Sequence, residues 1–332
     1  MSRGFDSLDP SLRSRLEPGR KARFLEPMRA TLTHDHFSDP DWLFERKLDG
    51  ERLIVVRRRG HVDLYTRNGN EVGDTYPELR EAMAGGGPQL VADGEAVAFE
   101  GKRTSFARLQ QRMKLSSARE ARRSPVAVYL YLFDLLHLDG HDLQALPLRA
   151  RKGLLREAVA FAGRVRYTPH RNEAGEAYHA TACEKGWEGV IAKRADAPYR
   201  HARTRDWLKF KCVNGQELVI GGFTEPRGER HGLGALLVGY YDDEGQLHYA
   251  GKVGTGYDEE ELERLRRLLD RRARQTSPFT DPVRERGAHF VRPELVAEFG
   301  FTEWTRDGKL RHPRYLGLRR DKDPRDVVRE DR

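Results

Sequence analysis

The chain has little cysteine: Cys183 and Cys212 are the only two in 332 residues. They stand far apart and form no C-x-x-C pair, which argues against a disulfide framework or a zinc site and agrees with a reducing cytoplasm. No apolar run approaches membrane-spanning length, and the N-terminus carries no hydrophobic signal core, so a membrane is not an expected partner. Internal repeats and low-complexity segments are missing too. So are G-x-G-x-x-G ahead of a helix, G-x-x-x-x-G-K-[ST] and G-x-S-x-G, which leaves dinucleotide, Walker-type and hydrolase readings without support. Gly85-Gly86-Gly87-Pro88 is too short to cradle a nucleotide phosphate. His34-Asp35-His36 looks faintly metal-like, but it sits in a polar stretch and reads as a plain loop.

What the chain has in quantity is charge. Charged residues make up 34% and hydrophobic residues 38%, enough for a core in each of about two domains. The net charge is +8 and the isoelectric point about 9.5, which points to a polyanionic partner or to a merely basic surface.

The chain is organised around Leu43-Phe44-Glu45-Arg46-Lys47-Leu48-Asp49-Gly50-Glu51-Arg52. Phe44 to Lys47 reads as a strand end, Asp49-Gly50 as a tight turn and Leu53 to Val56 as a buried strand, so Lys47 is expected at the mouth of a hairpin. Neighbouring cations and partial burial would free its amine for nucleophilic attack. A charged hairpin turn accounts for the same residues. Leu90 to Val97 is a strand with an acidic interruption, which makes Glu95 a metal or hydroxyl ligand unless it is a satisfied surface carboxylate. Phe106, Leu109 and Met113 have helical spacing, with Thr104 as the cap. The apolar strand from Val126 ends in Phe133-Asp134, where the ring belongs either over a ligand base or in the core. Trp187 to Lys193 and Thr204 to Lys211 are strands. Lys209 and Lys211 share one face, beside an anion or as protection of an edge. After Asn214-Gly215 come several short strands and one helix, Asp258 to about Arg272, with a capping box at Asp258 and Glu261. This suggests a small barrel of the oligonucleotide-binding type. The expected organisation is a basic N-terminal arm over residues 1–21, an α+β domain of antiparallel sheets and helices over 22–214, and the barrel over 215–332.

Taken in order, the motifs resemble those of the covalent nucleotidyltransferase superfamily, and within it those of ATP-dependent DNA ligases. Lys47-Leu48-Asp49-Gly50-Glu51-Arg52 is similar to motif I, and Arg67-Asn68-Gly69 to the arginine motif that follows it. Asp93-Gly94-Glu95 resembles motif III and Phe133-Asp134 motif IIIa. Glu188 to Lys193 resembles motif IV, Trp207 to Lys211 motif V, and Arg319-Arg320-Asp321-Lys322 motif VI. The likeness covers roughly residues 24 to 325 and is strongest to the ligase domain of bacterial end-joining ligase D.

The resemblance implies a role for each of these residues. Lys47 would carry AMP as a phosphoamide. Glu45 would contact adenine and Phe133 stack on it. Arg52 and Arg67 would bind AMP or the 5′-phosphate of the nick. Glu95 would bind ribose or metal, and Glu188 metal. Lys193, Lys209 and Lys211 would contact phosphates, with Arg203 a further candidate. Arg319 and Lys322 would orient the leaving pyrophosphate, with a flexible junction near Asn214-Gly215. The resemblance further implies ATP as co-substrate and Mg²⁺, replaceable by Mn²⁺. It implies nicked or broken duplex DNA as substrate, a Ku-type end-binding partner, a monomer, and a bacterial cytoplasm at the nucleoid. RNA ligase, capping guanylyltransferase and a non-catalytic nucleic-acid-binding module are the competing readings.

Overall fold

In the computed structural model the described residues are 5–18, 21–212, 215–226 and 232–330. They form two compact units, Met1–Cys212 and Val213–Arg332. Asn214 of the expected junction lies outside the described residues.

The first unit is built on two sheets. In one, Glu51–Arg58, Leu90–Glu100 and Val128–Leu138 are antiparallel neighbours, flanked by His61–Thr66 and His141–Asp142. Its strands are buried on both faces. Leu53 and Val55 join the large core under the helices, while Ile54 and Val56 join a second cluster with Phe133 and Trp207. That two-sided burial explains the unbroken apolar run Leu53 to Val56. In the other sheet the order is His170–Asn172, Trp42–Lys47, Gly189–Arg194, Arg203–Lys211 and Arg29–Leu32. Its alternation sorts side chains cleanly. Phe44, Val190, Ala192, Leu208 and Phe210 pack with Tyr178 and Ala182 of the helix Gly175–Glu184. Glu45, Lys47, Lys193, Trp207, Lys209 and Lys211 occupy the opposite face.

The expected lysine hairpin does not exist. Trp42–Lys47 and Glu51–Arg58 lie in different sheets, and Leu48-Asp49-Gly50 carries the chain from one to the other. Gly50 is required there because a Cβ would sit 2.2 Å from the Ala96 carbonyl oxygen. Asp49 also accepts from the Phe106 amide at 3.1 Å, at the start of the helix Phe106–Met113. The side-chain cap of that helix is Ser105, not Thr104. The strand through Phe133 continues to Leu138.

Residues 5–18 of the expected N-terminal arm are packed on the first unit, with a short helix at Pro10–Arg13. Phe5 and Leu8 are buried in the main core, and Glu17–Pro18 pairs with His141–Asp142. The two cysteines are bonded to each other, with Cα atoms 5.2 Å apart across a sequence separation of 29. The reading that excluded a disulfide fails because folding brings the end of one helix to the end of a strand.

The second unit is a bent antiparallel sheet. Ala288–Gly300 runs between Gly215–Thr224 and Arg314–Arg319, and Leu236–Tyr241 and Leu247–Val253 continue the sheet beyond Gly215–Thr224. Register shifts near Gly222, Gly239 and Phe299 mark the bends. The strands wrap a core that Leu262, Leu265 and Leu269 of the helix Glu259–Asp270 close. This is the oligonucleotide-binding type of sheet, with ladders that leave the barrel open among the described residues. Asp258 caps the helix as expected, accepting from the Glu261 amide at 2.8 Å. No helix among the described residues is long and apolar enough to cross a membrane.

Candidate active site

The polar face of the second sheet lies opposite the Phe133 side of the first, because Trp207 packs with Phe133, Ile54 and Val56. Strand register then sets the order of the chemistry. Lys47 stands beside Gly189, and Gly189 beside Lys211. The two lysines are therefore about 10 Å apart across two strand spacings. Gly189 leaves the gap between them clear of a side chain. It has φ +150°, and a Cβ would meet the Phe210 carbonyl oxygen at 2.0 Å. One step along the sheet, Glu45, Ile191 and Lys209 form the next row.

Lys47 pairs through Nζ with Glu188 Oε1, and both side chains are about one-fifth exposed. Glu45 is held differently. It is 2% exposed, with Oε1 2.5 Å from Lys152 Nζ and Oε2 2.7 Å from Lys193 Nζ. Burial alone would raise its carboxyl pKa, but the two ammonium groups outweigh burial and hold it below the usual range. Burial lowers Lys193 to about 8; Glu45 opposes the shift and Lys152 adds to it. Lys193 Nζ also lies 4.0 Å from the Phe133 ring centre and 4.1 Å from that of Trp207.

On the facing sheet, Arg52 clasps Asp93 with two bonds, 2.5 and 2.6 Å, and sits 4.6 Å above the Phe133 ring. Asp93 is fully buried and also accepts from the Tyr199 hydroxyl at 2.6 Å. Burial opposes the charge on Arg52, yet Asp93 raises its pKa further above the ordinary arginine value. Glu95 is the strand neighbour of Arg52 and Tyr131. It is partly exposed, on the same strand face as Asp93. Arg67 follows the strand His61–Thr66 in a turn closed by the Gly69 amide to the Thr66 carbonyl at 3.0 Å. Arg203 opens its strand and donates to the Ala30 carbonyl at 3.1 Å. Glu95 and Glu188 offer hard carboxylate oxygens of the kind that hold Mg²⁺.

Arg319 and Lys322 belong to the second unit. Arg319 reaches Asp321 at 2.9 and 3.0 Å and Glu298 at 3.1 Å, and its side chain is 9% exposed. Lys322 Nζ is 3.2 Å from Glu217 Oε1.

The ATP-dependent DNA ligase domain model matches residues 25–211, and the model of the ATP-dependent DNA ligase C-terminal region matches residues 229–322. The chain belongs to the ATP-dependent DNA ligase family. It is 40% identical over 301 residues to the multifunctional non-homologous end joining protein LigD of Pseudomonas aeruginosa, covering 87% of this chain and 35% of that protein. The LigD of Mycobacterium bovis is also 40% identical, over 318 residues, covering 92% of this chain and 40% of that protein. The chain thus spans well under half the length of these curated relatives. A solved mycobacterial DNA ligase D complexed with ATP and MES is 37% identical with a TM-score of 0.65, covering 92% of this chain and 98% of that one.

In this ligase frame, the residue that sequence reasoning missed is Lys152. It lies on the helix Leu148–Ala158, is 1% exposed, and donates to Glu45 and to the Thr168 carbonyl at 3.1 Å. Its neighbour Arg151 is fully buried and grips Asp134 at 2.7 and 2.8 Å. Two adjacent cations on the inward side of a helix packed against an acid-bearing strand were the available signal. Reading it requires knowing which side of the helix faces in.

Proposed function

We propose that this chain is an ATP-dependent DNA ligase module that joins a 5′-phosphate to a 3′-hydroxyl in duplex DNA through an enzyme adenylate and a DNA adenylate. The observation that supports this most directly is the Lys47–Gly189–Lys211 row, with Glu188 in contact with the Lys47 amine. Lys47 Nζ attacks the α-phosphorus of ATP, the α–β bridging P–O bond breaks, and pyrophosphate leaves. Glu188, already against the ammonium, takes the proton that must leave it. Lys209 and Lys211 draw phosphate charge toward the side-chain-free gap at Gly189.

The adenylate then passes to the 5′-phosphate and restores the Lys47 amine. Attack by the 3′-hydroxyl on that 5′ phosphorus expels AMP and closes the strand. Glu95 and Glu188 would hold Mg²⁺, or Mn²⁺ in its place, which when bound neutralises phosphate charge. Glu45 is committed to Lys152 and Lys193, so its part is to fix Lys193 beside Phe133 and Trp207. Arg52 and Arg67 remain candidates for the nucleotide or the nick phosphate. Arg319 is enclosed by carboxylates and would act by positioning, which leaves Lys322 as the motif VI cation for the pyrophosphate.

The relatives' names extend the proposal to end joining, in which a Ku-type end-binding protein would be a partner. With a net charge of +8, DNA affinity would rest on phosphate contacts and fall steeply with salt. The deciding experiment is intact-mass measurement after incubation with ATP or GTP, followed by sealing of a nicked duplex. An AMP adduct from ATP and a sealed DNA strand are expected. A GMP adduct, or sealing of RNA alone, would overturn the reading.

A further inference from the structure

Away from the nucleotide face, the far end of the helix Gly175–Glu184 carries a second cluster of reactive side chains. His179 and Cys183 are four residues apart, so they project from one side of the helix. Cys212, one residue beyond the strand Arg203–Lys211, meets them there. One donor atom from each of the three lies within 4.8 Å of the others. His179 Nε2 is 3.5 Å from the Cys183 sulfur. The His36 ring lies 3.9 Å from the His179 ring, centre to centre, although its nitrogens are not among the donor atoms gathered within 4.8 Å. A disulfide by itself needs no imidazole, and here two are gathered beside one.

We infer that His179, Cys183 and Cys212, with His36 turning toward them as a fourth ligand, form a binding site for a thiophilic divalent cation of the Zn²⁺ class when the cysteines are reduced. The distances suit it. Tetrahedral zinc with Zn–S of about 2.3 Å and Zn–N of about 2.0 Å puts N and S ligands about 3.6 Å apart. Sulfurs bonded to each other carry no thiolate charge, so metal and disulfide are alternative states of the same pair. Going from disulfide to metal site takes two electrons and two protons from a dithiol reductant, which becomes a disulfide in turn. The ion then displaces the two thiol protons.

Either state ties the same two elements together. The Cys212 amide donates to the Glu188 carbonyl at 3.1 Å, and Lys211 immediately precedes Cys212. The tie therefore anchors the strand end that carries Lys209 and Lys211 and the segment that carries Glu188. The reduced chain without metal would lack it.

The test uses the full chain, reduced with a phosphine, freed of metal, and titrated with Co²⁺ in excess Mg²⁺ so that carboxylate sites stay filled. One equivalent of Co²⁺ should bind with thiolate-to-metal charge-transfer absorption and be displaced by Zn²⁺. The oxidised chain and Cys183→Ser should show no such absorption. His179→Ala and His36→Ala should each bind at least about tenfold more weakly. A reduced wild-type chain that takes up no more Co²⁺ than a Cys183→Ser/Cys212→Ser double variant overturns the site, whatever the single variants do. Unchanged affinity in His36→Ala overturns the four-ligand form.

Discussion

Both units hold motif cations against carboxylates, some in partly exposed pairs and some in buried clusters. In the first, Lys47 meets Glu188 in a contact about one-fifth exposed, while Glu45 is sealed between Lys152 and Lys193. In the second, Lys322 meets Glu217 in a similarly exposed contact, while Arg319 is sealed between Asp321 and Glu298. A partly exposed pair can open at small cost, since water replaces the partner. A buried one cannot, since an uncompensated charge would remain in a low dielectric. On the proposed function, the reacting Lys47 belongs to an open pair, and the sealed clusters would be frames that aim it.

That contrast breaks first at Lys47. Lys47→Ala should abolish the AMP adduct in intact-mass measurement, and Lys47→Arg should be equally inactive because guanidinium does not release its proton at working pH. A normal adduct on either variant would remove Lys47 from the chemistry. Next comes Lys322→Ala, which should slow enzyme adenylation on the order of a hundredfold. It should leave the sealing of a chemically pre-adenylated nick within a few-fold of wild type, because the β- and γ-phosphates are gone by then. Equal losses in both steps would make the motif VI segment a structural or DNA-holding element. Arg319→Ala is the less clean probe, since it strands two carboxylates.

The sealed cluster should respond in stability. Glu45→Ala leaves two buried lysines without their carboxylate and should cost about 3–5 kcal/mol in urea unfolding. Glu188→Ala should cost about 1 kcal/mol or less while still impairing adenylation. If the two variants are equally stable, the distinction between open and sealed pairs is wrong. The smallest effect concerns pH. Burial lowers Lys193 from the ordinary 10.5 to about 8, so between those values the unfolded chain keeps a proton that the folded chain has released. Stability assigned to this group must then rise with pH through that window, and its burial cost is fully present below pH 8. Unfolding of wild type compared with Lys193→Met, from pH 7.5 to 10.5, should show the difference rising. A flat difference would mean that Lys193 titrates near its ordinary value.

The local sequence was sufficient for the family and for most elements. Asp258 to Glu261 announces a helix start. Order along the chain was enough to name the motifs, because residue type and spacing are what nucleotidyl transfer selects. Tertiary structure decided what those residues touch. Leu48-Asp49-Gly50 reads as a hairpin turn until the Ala96 carbonyl is seen where a Cβ would be, and the turn becomes a crossing between sheets. Glu45 and Lys152 are 107 residues apart, and Cys183 and Cys212 are separated by 29. Neither contact follows from local propensity, because each depends on strand register and on which side of a helix packs inward. A buried charge is stabilised only by the partner that folding brings to it, and that partner has no fixed spacing in the chain.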